Sequence, residues 1–329
     1  LTEKCGDCHE DKMETYRDTY HGQVNSLGYA TTAKCYDCHG SHGIQKSDDP
    51  SSKVNPKNRL KTCKQCHNDK KPGMFDATPG FVTFSPHANS HDFAKYPEVW
   101  LTTKFMVALL IGVFAFFWAH SVFWWYREYA DRKQGKNRPH IRTDALPAEF
   151  ATKYVRRFGP MWRIAHLFFA ISVMTLVLTG MVPFYAETLW AKVVVGVIGS
   201  PKAAGWIHRI AAFTMLGIFF IHLIAVVVNI GRNWKTFEFF GPNSFVPNWK
   251  DGRDMIGMIK WFFAMGPRPT FERWTYWEKF DYWAVFWGMA IIGGSGMTLA
   301  YPHLVAKVLP GWVFNVAMVV HGEEAFLAA

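Results

Sequence analysis

The sequence predicts an all-α membrane protein in which five apolar helices follow a polar region of short helices and loops. Three observations lead there. The 329 residues are 50% apolar and 17% aromatic but only 19% charged, with mean hydropathy near zero. These averages join two unlike halves. Residues 1–98 hold 13 Lys/Arg against 13 Asp/Glu, so the whole net charge of +10 lies in the remainder. Beyond Phe105, long apolar runs alternate with basic stretches. That is the pattern of membrane spans and cytoplasmic loops, whereas a nucleic-acid-binding protein would gather its basic residues on one soluble face. Lipid is the implied surroundings, and nucleic acid is excluded as a partner.

Residues 1–98 contain few apolar runs and many turn formers, as in Ser47-Asp48-Asp49-Pro50-Ser51-Ser52, so an ordinary core is not available. All six cysteines fall in one pattern: Cys5-Gly-Asp-Cys8-His9, Cys35-Tyr-Asp-Cys38-His39 and Cys63-Lys-Gln-Cys66-His67. Two thiols one turn apart can form thioethers to the two vinyl groups of a porphyrin, and the adjacent imidazole can ligate its iron. A zinc ribbon or three disulfides would use the cysteines, but neither explains a histidine after every second one. Three c-type haems are therefore expected, bound through Cys5, Cys8, Cys35, Cys38, Cys63 and Cys66, with His9, His39 and His67 as proximal ligands. Their porphyrins would substitute for a core. His21, His42, His87 and His91 are the distal candidates, four for three positions. Covalent haem attachment belongs outside the cytoplasm, so this region is expected to be periplasmic, with a targeting segment, and room for further haem sites, upstream of Leu1.

Five runs suit a hydrocarbon layer about 30 Å thick: Phe105 to Tyr126, Ile164 to Phe184, Trp206 to Ile230, Tyr282 to Tyr301, and Trp312 to Ala329. The last stops without a cap or basic anchor, so the natural protein is expected to continue. Trp124, Trp125, Tyr126, Trp206, Tyr282 and Trp283 cluster at span ends, where amphipathic rings suit the headgroup region. Arg127 to Arg163 carries ten Lys/Arg and Arg232 to Lys279 eight, while Tyr185 to Gly205 has only Lys192 and Lys202. Basic loops stay inside, which places the first 98 residues outside. The organisation expected is a periplasmic tri-haem domain over 1–98, an anchor helix over 99–130, a cytoplasmic basic loop over 131–160, and a membrane domain over 161–329. Leu189 to Gly199 and Met255 to Met265 are apolar but short, and either lie along the bilayer surface or pack as loops on the bundle.

His120, His166, His208, His222 and His321 fall within spans, where an ionisable group is a functional candidate by default. Alternating span direction puts His208 and His321 in the outer leaflet, and His120, His166 and His222 in the inner one. His208 and His222 lie 14 residues apart, about four turns and about 21 Å along one helix face, a spacing suited to two stacked b-type haems. His208 with His321 would hold the outer haem. For the inner haem, His166 has two possible partners: His222, or a histidine about 14 residues beyond His321, past the end of the sequence. His120 is a weaker axial candidate. Glu323 and Glu324, inside a span, join His120 as quinone or proton candidates.

Arg163-Ile-Ala-His166, Trp206-Ile-His208-Arg-Ile-Ala-Ala, and Phe280-Asp-Tyr-Trp before Ser295-Gly-Met297-Thr resemble the di-haem cytochrome b membrane subunits of formate dehydrogenases and nickel-iron hydrogenases. The resemblance covers residues 160–329. It implies a four-helix quinone-reactive bundle with ligands at His166, His208 and His321, and quinone near the inner haem. The family's final histidine, on its fourth helix, is not in this sequence, and His222 departs from the simplest pattern. Cys38-His39-Gly40-Ser41-His42-Gly is similar to multihaem quinol-dehydrogenase cytochromes and small multihaem c-type carriers.

The expectation is respiratory electron transfer at a bacterial inner membrane. Electrons would pass between menaquinone or ubiquinone, two b-type haems, three c-type haems and a periplasmic redox protein, with quinol oxidised. The chain would be a quinol:cytochrome c-type oxidoreductase or the electron-transfer subunit of one. A second class is a haem-bearing anchor subunit of a larger dehydrogenase or reductase complex, which reduces quinone or binds none. A third, a haem sensor, would need an open axial position, and the supply of histidines argues against it. No nucleophile triad, phosphate loop or molybdenum signature appears, so chemistry beyond quinone would belong to a partner.

Overall fold

The computed structural model describes residues 2–70, 74–136 and 158–329, and every regular element among them is helical. Most of the basic loop expected over 131–160 lies outside the described residues.

The N-terminal region contains α1 (Thr2–Gly6), α2 (Glu10–Arg17), α3 (Tyr20–Ser26), α4 (Cys35–His39), α5 (Arg59–Cys63) and a 3-10 turn at Phe81–Thr83. Helices this short do not persist alone, so caps and packing hold them. Thr19 caps α3 by accepting from Gly22 N at 3.2 Å. Gly22 also lets α3 press on α2, since a Cβ there would stand 2.1 Å from Tyr16 O. Asp37 accepts from Lys34 N at 2.8 Å at the start of α4, and Gly40, at φ +86°, ends it. Between α4 and α5, asparagine side chains replace a core. Asn58 Nδ2 donates to the carbonyls of Pro50 and Ser52, both at 2.8 Å, and Asn55 Nδ2 to that of Asp48 at 3.1 Å.

Beyond them come α6 (Pro97–Lys133), α7 (Pro160–Phe184), α8 (Leu189–Ile198), α9 (Pro201–Arg232), α10 (Trp249–Phe262), α11 (Tyr276–Ala300), α12 (Pro302–Val305) and α13 (Trp312–Ala328). Four of these, α6, α7, α9 and α11, are long and apolar enough to cross a membrane. Proline opens α6, α7 and α9, where its missing N–H costs nothing. No more than 17% of any of their apolar windows is buried, so most of that surface faces outward, as helices solvated by lipid require. The fifth expected span is α13, helical but only 17 residues long.

The chain forms two compact units. One comprises Leu1–Ala108, Ile171–Leu216 and Gly288–Ala329. Its apolar cluster joins Leu27 to Val182, Ala186, Ala191 and Val195. Thus α8 turns Ala191 and Val195 inward while Leu189, Val193 and Val197 stay exposed, an amphipathic helix packed on its neighbours. Residues 81–85 are stitched to α13. Ser85 N donates to Asn315 Oδ1 at 3.1 Å, Asn315 Nδ2 returns a bond to Ser85 O at 2.7 Å, and Phe81 packs edge-on against Phe314. Arg17 pairs with Glu187 at 2.9 Å.

The other unit comprises Leu109–Ala170 and Gly217–Trp287. Here Asn248 caps α10, and Met258, Trp261 and Phe262 pack against Trp124, Phe271 and Tyr276. The amphipathic segment expected over Met255 to Met265 is thus the second half of α10, buried on one side. Trp261 Nε1 donates to Asp131 Oδ2 at 3.0 Å, and the Arg268 guanidinium lies over the Trp124 and Trp261 rings. Lys279, 1% exposed, meets Asp251 at 2.8 Å.

Candidate functional site: paired imidazoles

Six of the candidate histidines form three pairs. In the N-terminal region His21 and His67 lie with ring centroids 5.9 Å apart, and His39 and His87 6.4 Å apart. Between α9 and α13, His208 and His321 lie 6.2 Å apart. Two imidazoles on opposite sides of one metal atom, each nitrogen about 2 Å from it, would place their centroids about 6 Å apart. All three pairs have that separation.

Hydrogen bonds fix which nitrogen each ring presents. Thr179 on α7 donates its only hydroxyl proton to Thr175 O at 2.6 Å and lies 2.9 Å from His208 Nδ1, so it accepts from Nδ1–H. Ser295 on α11 does the same, donating to Ile291 O at 2.7 Å and accepting from His321 Nδ1 at 3.2 Å. The Ile292 carbonyl, also an acceptor, lies 3.1 Å from that Nδ1. In the N-terminal region Thr15 donates to Asp11 O at 3.1 Å and meets His87 Nδ1 at 3.0 Å. Three times, a helical hydroxyl committed to the preceding turn holds an imidazole as the Nδ1–H tautomer. Nε2 is left with its lone pair, the form that binds metal.

Glycine makes room for two of these rings. A Cβ at Gly180, beside Thr179, would lie 3.4 Å from His208 Cε1, and one at Gly296, beside Ser295, 2.9 Å from His321 Cε1. The His67 ring packs on Phe75 and Phe81, and its Nδ1 is buried without a partner among the described residues. Burial pushes the His67 and His87 imidazoles down to about 4, helped by the neighbouring His21 and His39 respectively, so both are neutral at pH 7.

The six cysteines are free thiols. Cys38 is pushed up to about 11 by burial and then by Cys63, so the second and third motifs are neighbours. Among the described residues no group of three or more His, Cys, Asp or Glu side chains is gathered as for a bare metal ion. The imidazoles come in twos, the number of axial positions that a porphyrin leaves on its iron. Three imidazole pairs, free vicinal thiols and glycine-lined slots for His208 and His321 form a donor set that suits iron porphyrin.

The remaining candidates are placed differently. His9 is exposed, as are His42 and His91, and none of the three has a ring partner among the described residues. His166 is likewise exposed and is not brought to His222. Instead His222 Nε2 meets the Tyr282 hydroxyl at 3.0 Å, with Trp162 edge-on to its ring. His120 Nε2 meets the Tyr276 hydroxyl at 2.5 Å among Phe262, Trp277 and Trp124. Both engage through Nε2, the opposite of His87, His208 and His321. Glu324 is 2% exposed, with Oε2 unpartnered among the described residues, while Glu323 is half-buried.

Sequence reasoning missed Thr15, Thr179, Ser295 and His303. The signal for two of them is a hydroxyl–glycine dipeptide inside an apolar helix, Thr179-Gly180 and Ser295-Gly296. His303, on α12, stacks on Phe75 at 6.3 Å.

Comparison with protein families, curated proteins and solved structures finds no match to this chain.

Proposed function

We propose that the chain is a membrane-bound electron carrier that oxidises quinol and delivers electrons through b-type and then c-type haem to a periplasmic redox protein. The observation that carries this reading is the set of three imidazole pairs, 5.9, 6.4 and 6.2 Å apart, two of them built on residues of C-x-x-C-H motifs. Iron porphyrin at these positions supplies one-electron transfer between fixed sites. Cys5, Cys8, Cys35, Cys38, Cys63 and Cys66 anchor three groups covalently, with His9, His39 and His67 as proximal ligands. His21 completes the third site and His87 the second. His208 and His321 hold a b-type haem, with Thr179 and Ser295 fixing their tautomers. His166 is the remaining imidazole for a second b-type site.

Quinol oxidation releases protons as well as electrons, and the chain has groups to take them. The His120–Tyr276 and His222–Tyr282 couples each join a base to a hydroxyl amid aromatic rings that suit a quinone head. Glu324, buried and unpartnered at Oε2, is the corresponding group near His321. The fifth helix, α13, completes the membrane bundle, and its outer neighbour is the N-terminal region on the periplasmic face of a bacterial inner membrane.

The test is His321→Ala in the full chain. The variant is expected to lose b-type haem and quinol-driven reduction of the c-type haems, while dithionite still reduces them. Quinol-driven reduction at the unaltered rate would refute the reading.

A further inference from the structure

The chain order of the three C-x-x-C-H motifs need not be the order in which electrons visit them. Contacts within one compact unit place the third motif and its partner histidine against α12, α13 and the start of α9. Phe75, which packs on His67 at 4.5 Å, also stacks on His303 of α12. Residues 81–85 bond reciprocally with Asn315 on α13, and Asn315 lies six residues, about 9 Å, before His321 on that helix. Arg59, opening the helix that leads into Cys63, donates to Val82 O at 2.9 Å and so ties the motif to the same segment. Tyr20, beside His21, is within electrostatic reach of Arg209, beside His208. His21 therefore neighbours the helix that carries His208, and His67, through Phe81 and Phe314, the helix that carries His321.

The other motifs follow in turn. α1, which holds Cys5 of the first motif, packs on α4, which holds the second motif from Cys35 to His39, and Cys38 lies within electrostatic reach of Cys63 and Cys66 of the third. His9 and Cys8 are exposed.

We infer that electrons enter the c-type region at the third motif, cross the second, and leave at the first, the reverse of chain order. The inference rests on the haem reading above. One electron leaves the His208–His321 site, oxidising it, and reduces the His21–His67 site. The next transfer reduces the His39–His87 site, and the last the His9 site, which meets the partner. Quinol is the reductant and the periplasmic protein the oxidant.

The test is electron paramagnetic resonance of the fully oxidised holoprotein, reading the spin relaxation of the b-type signal that His321→Ala removes. A nearby paramagnetic iron speeds that relaxation. Cys63→Ala/Cys66→Ala, which removes the third attachment, is expected to slow it several-fold, whereas Cys5→Ala/Cys8→Ala leaves it unchanged. Slowing in the first-motif variant alone, or in neither, would overturn the order. His21→Met covers the case in which the third-motif variant fails to accumulate. It keeps the covalent link and raises that site's potential, so on reductive titration the b-type relaxation should slow as the first c-type haem is reduced. Persistence of fast relaxation until the last c-type haem is reduced would also overturn it. A wild-type protein with no b-type signal would refute the haem reading itself, a distinct failure.

Discussion

Gly296→Ala and Gly180→Ala add the same methyl group beside two imidazoles, and the structure assigns them different outcomes. At Gly296 the new Cβ would stand 2.9 Å from His321 Cε1 and 3.4 Å from Nδ1. Carbon atoms rest at about 3.5 to 4.0 Å, so the ring must retreat by about 0.6 Å or more. A metal–imidazole bond tolerates about 0.2 Å. In the proposed haem site the ring would therefore leave the axial position. At Gly180 the Cβ would stand 3.4 Å from His208 Cε1, which needs a shift of about 0.1 Å, inside that tolerance. Alanine also favours a helix over glycine by about 1 kcal/mol, so neither change should unfold its helix. The assay is b-type haem per chain in purified protein, with the reduced carbon monoxide difference spectrum. Gly296→Ala is expected to lose b-type haem or to open a carbon monoxide site, while Gly180→Ala resembles wild type. Equal damage in both, or none in Gly296→Ala, would refute the argument that these glycines seat ligand rings.

Thr179→Val removes the Nδ1 acceptor of His208 while keeping side-chain bulk close and should weaken b-type haem retention by about 10- to 100-fold, measured as haem loss to apomyoglobin, whereas Ser295→Ala leaves the Ile292 carbonyl to hold His321 Nδ1 and should weaken it less. His21→Ala and His87→Ala should each convert one low-spin c-type haem to a high-spin, carbon monoxide-binding form, and His42→Ala and His91→Ala should not; visible and electron paramagnetic resonance spectra read the count. Lys279→Met removes the cation from the mostly buried Asp251 carboxylate and leaves it only the Asn248 N–H, so it should lower Tm by the equivalent of a few kcal/mol, about 3 at most, with partial recovery in Lys279→Met/Asp251→Asn, which keeps an acceptor for the cap.

Much of the architecture was legible because it follows from one-dimensional signals. Hydropathy over windows of about 20 residues located the four long helices, since lipid leaves no other solvent for such runs. Proline at 97, 160 and 201 then set starts several residues before the apolar runs, which hydropathy alone does not register. The C-x-x-C-H motifs were legible because their chemistry is local. Which histidines meet the motif histidines was not, because His21 and His67 lie 46 positions apart and His39 and His87 48. Four polar-stretch histidines look alike in sequence, and only folding leaves His21 and His87 half-buried beside a motif histidine while His42 and His91 stay exposed. His222 illustrates the opposite limit. Its spacing from His208 on one helix suits a ligand, yet its Nε2 faces Tyr282, a partner 60 positions away that helix periodicity cannot reveal. Thr15, Thr179 and Ser295 look like ordinary helical hydroxyls until the ring that each one holds is in place.

The central claim is that paired imidazoles on this chain hold b-type as well as c-type haem. Quantifying both by pyridine haemochrome spectrum in the purified chain tests it most directly. The account predicts three c-type haems and at least one b-type haem per chain; three c-type haems with no b-type haem would contradict it.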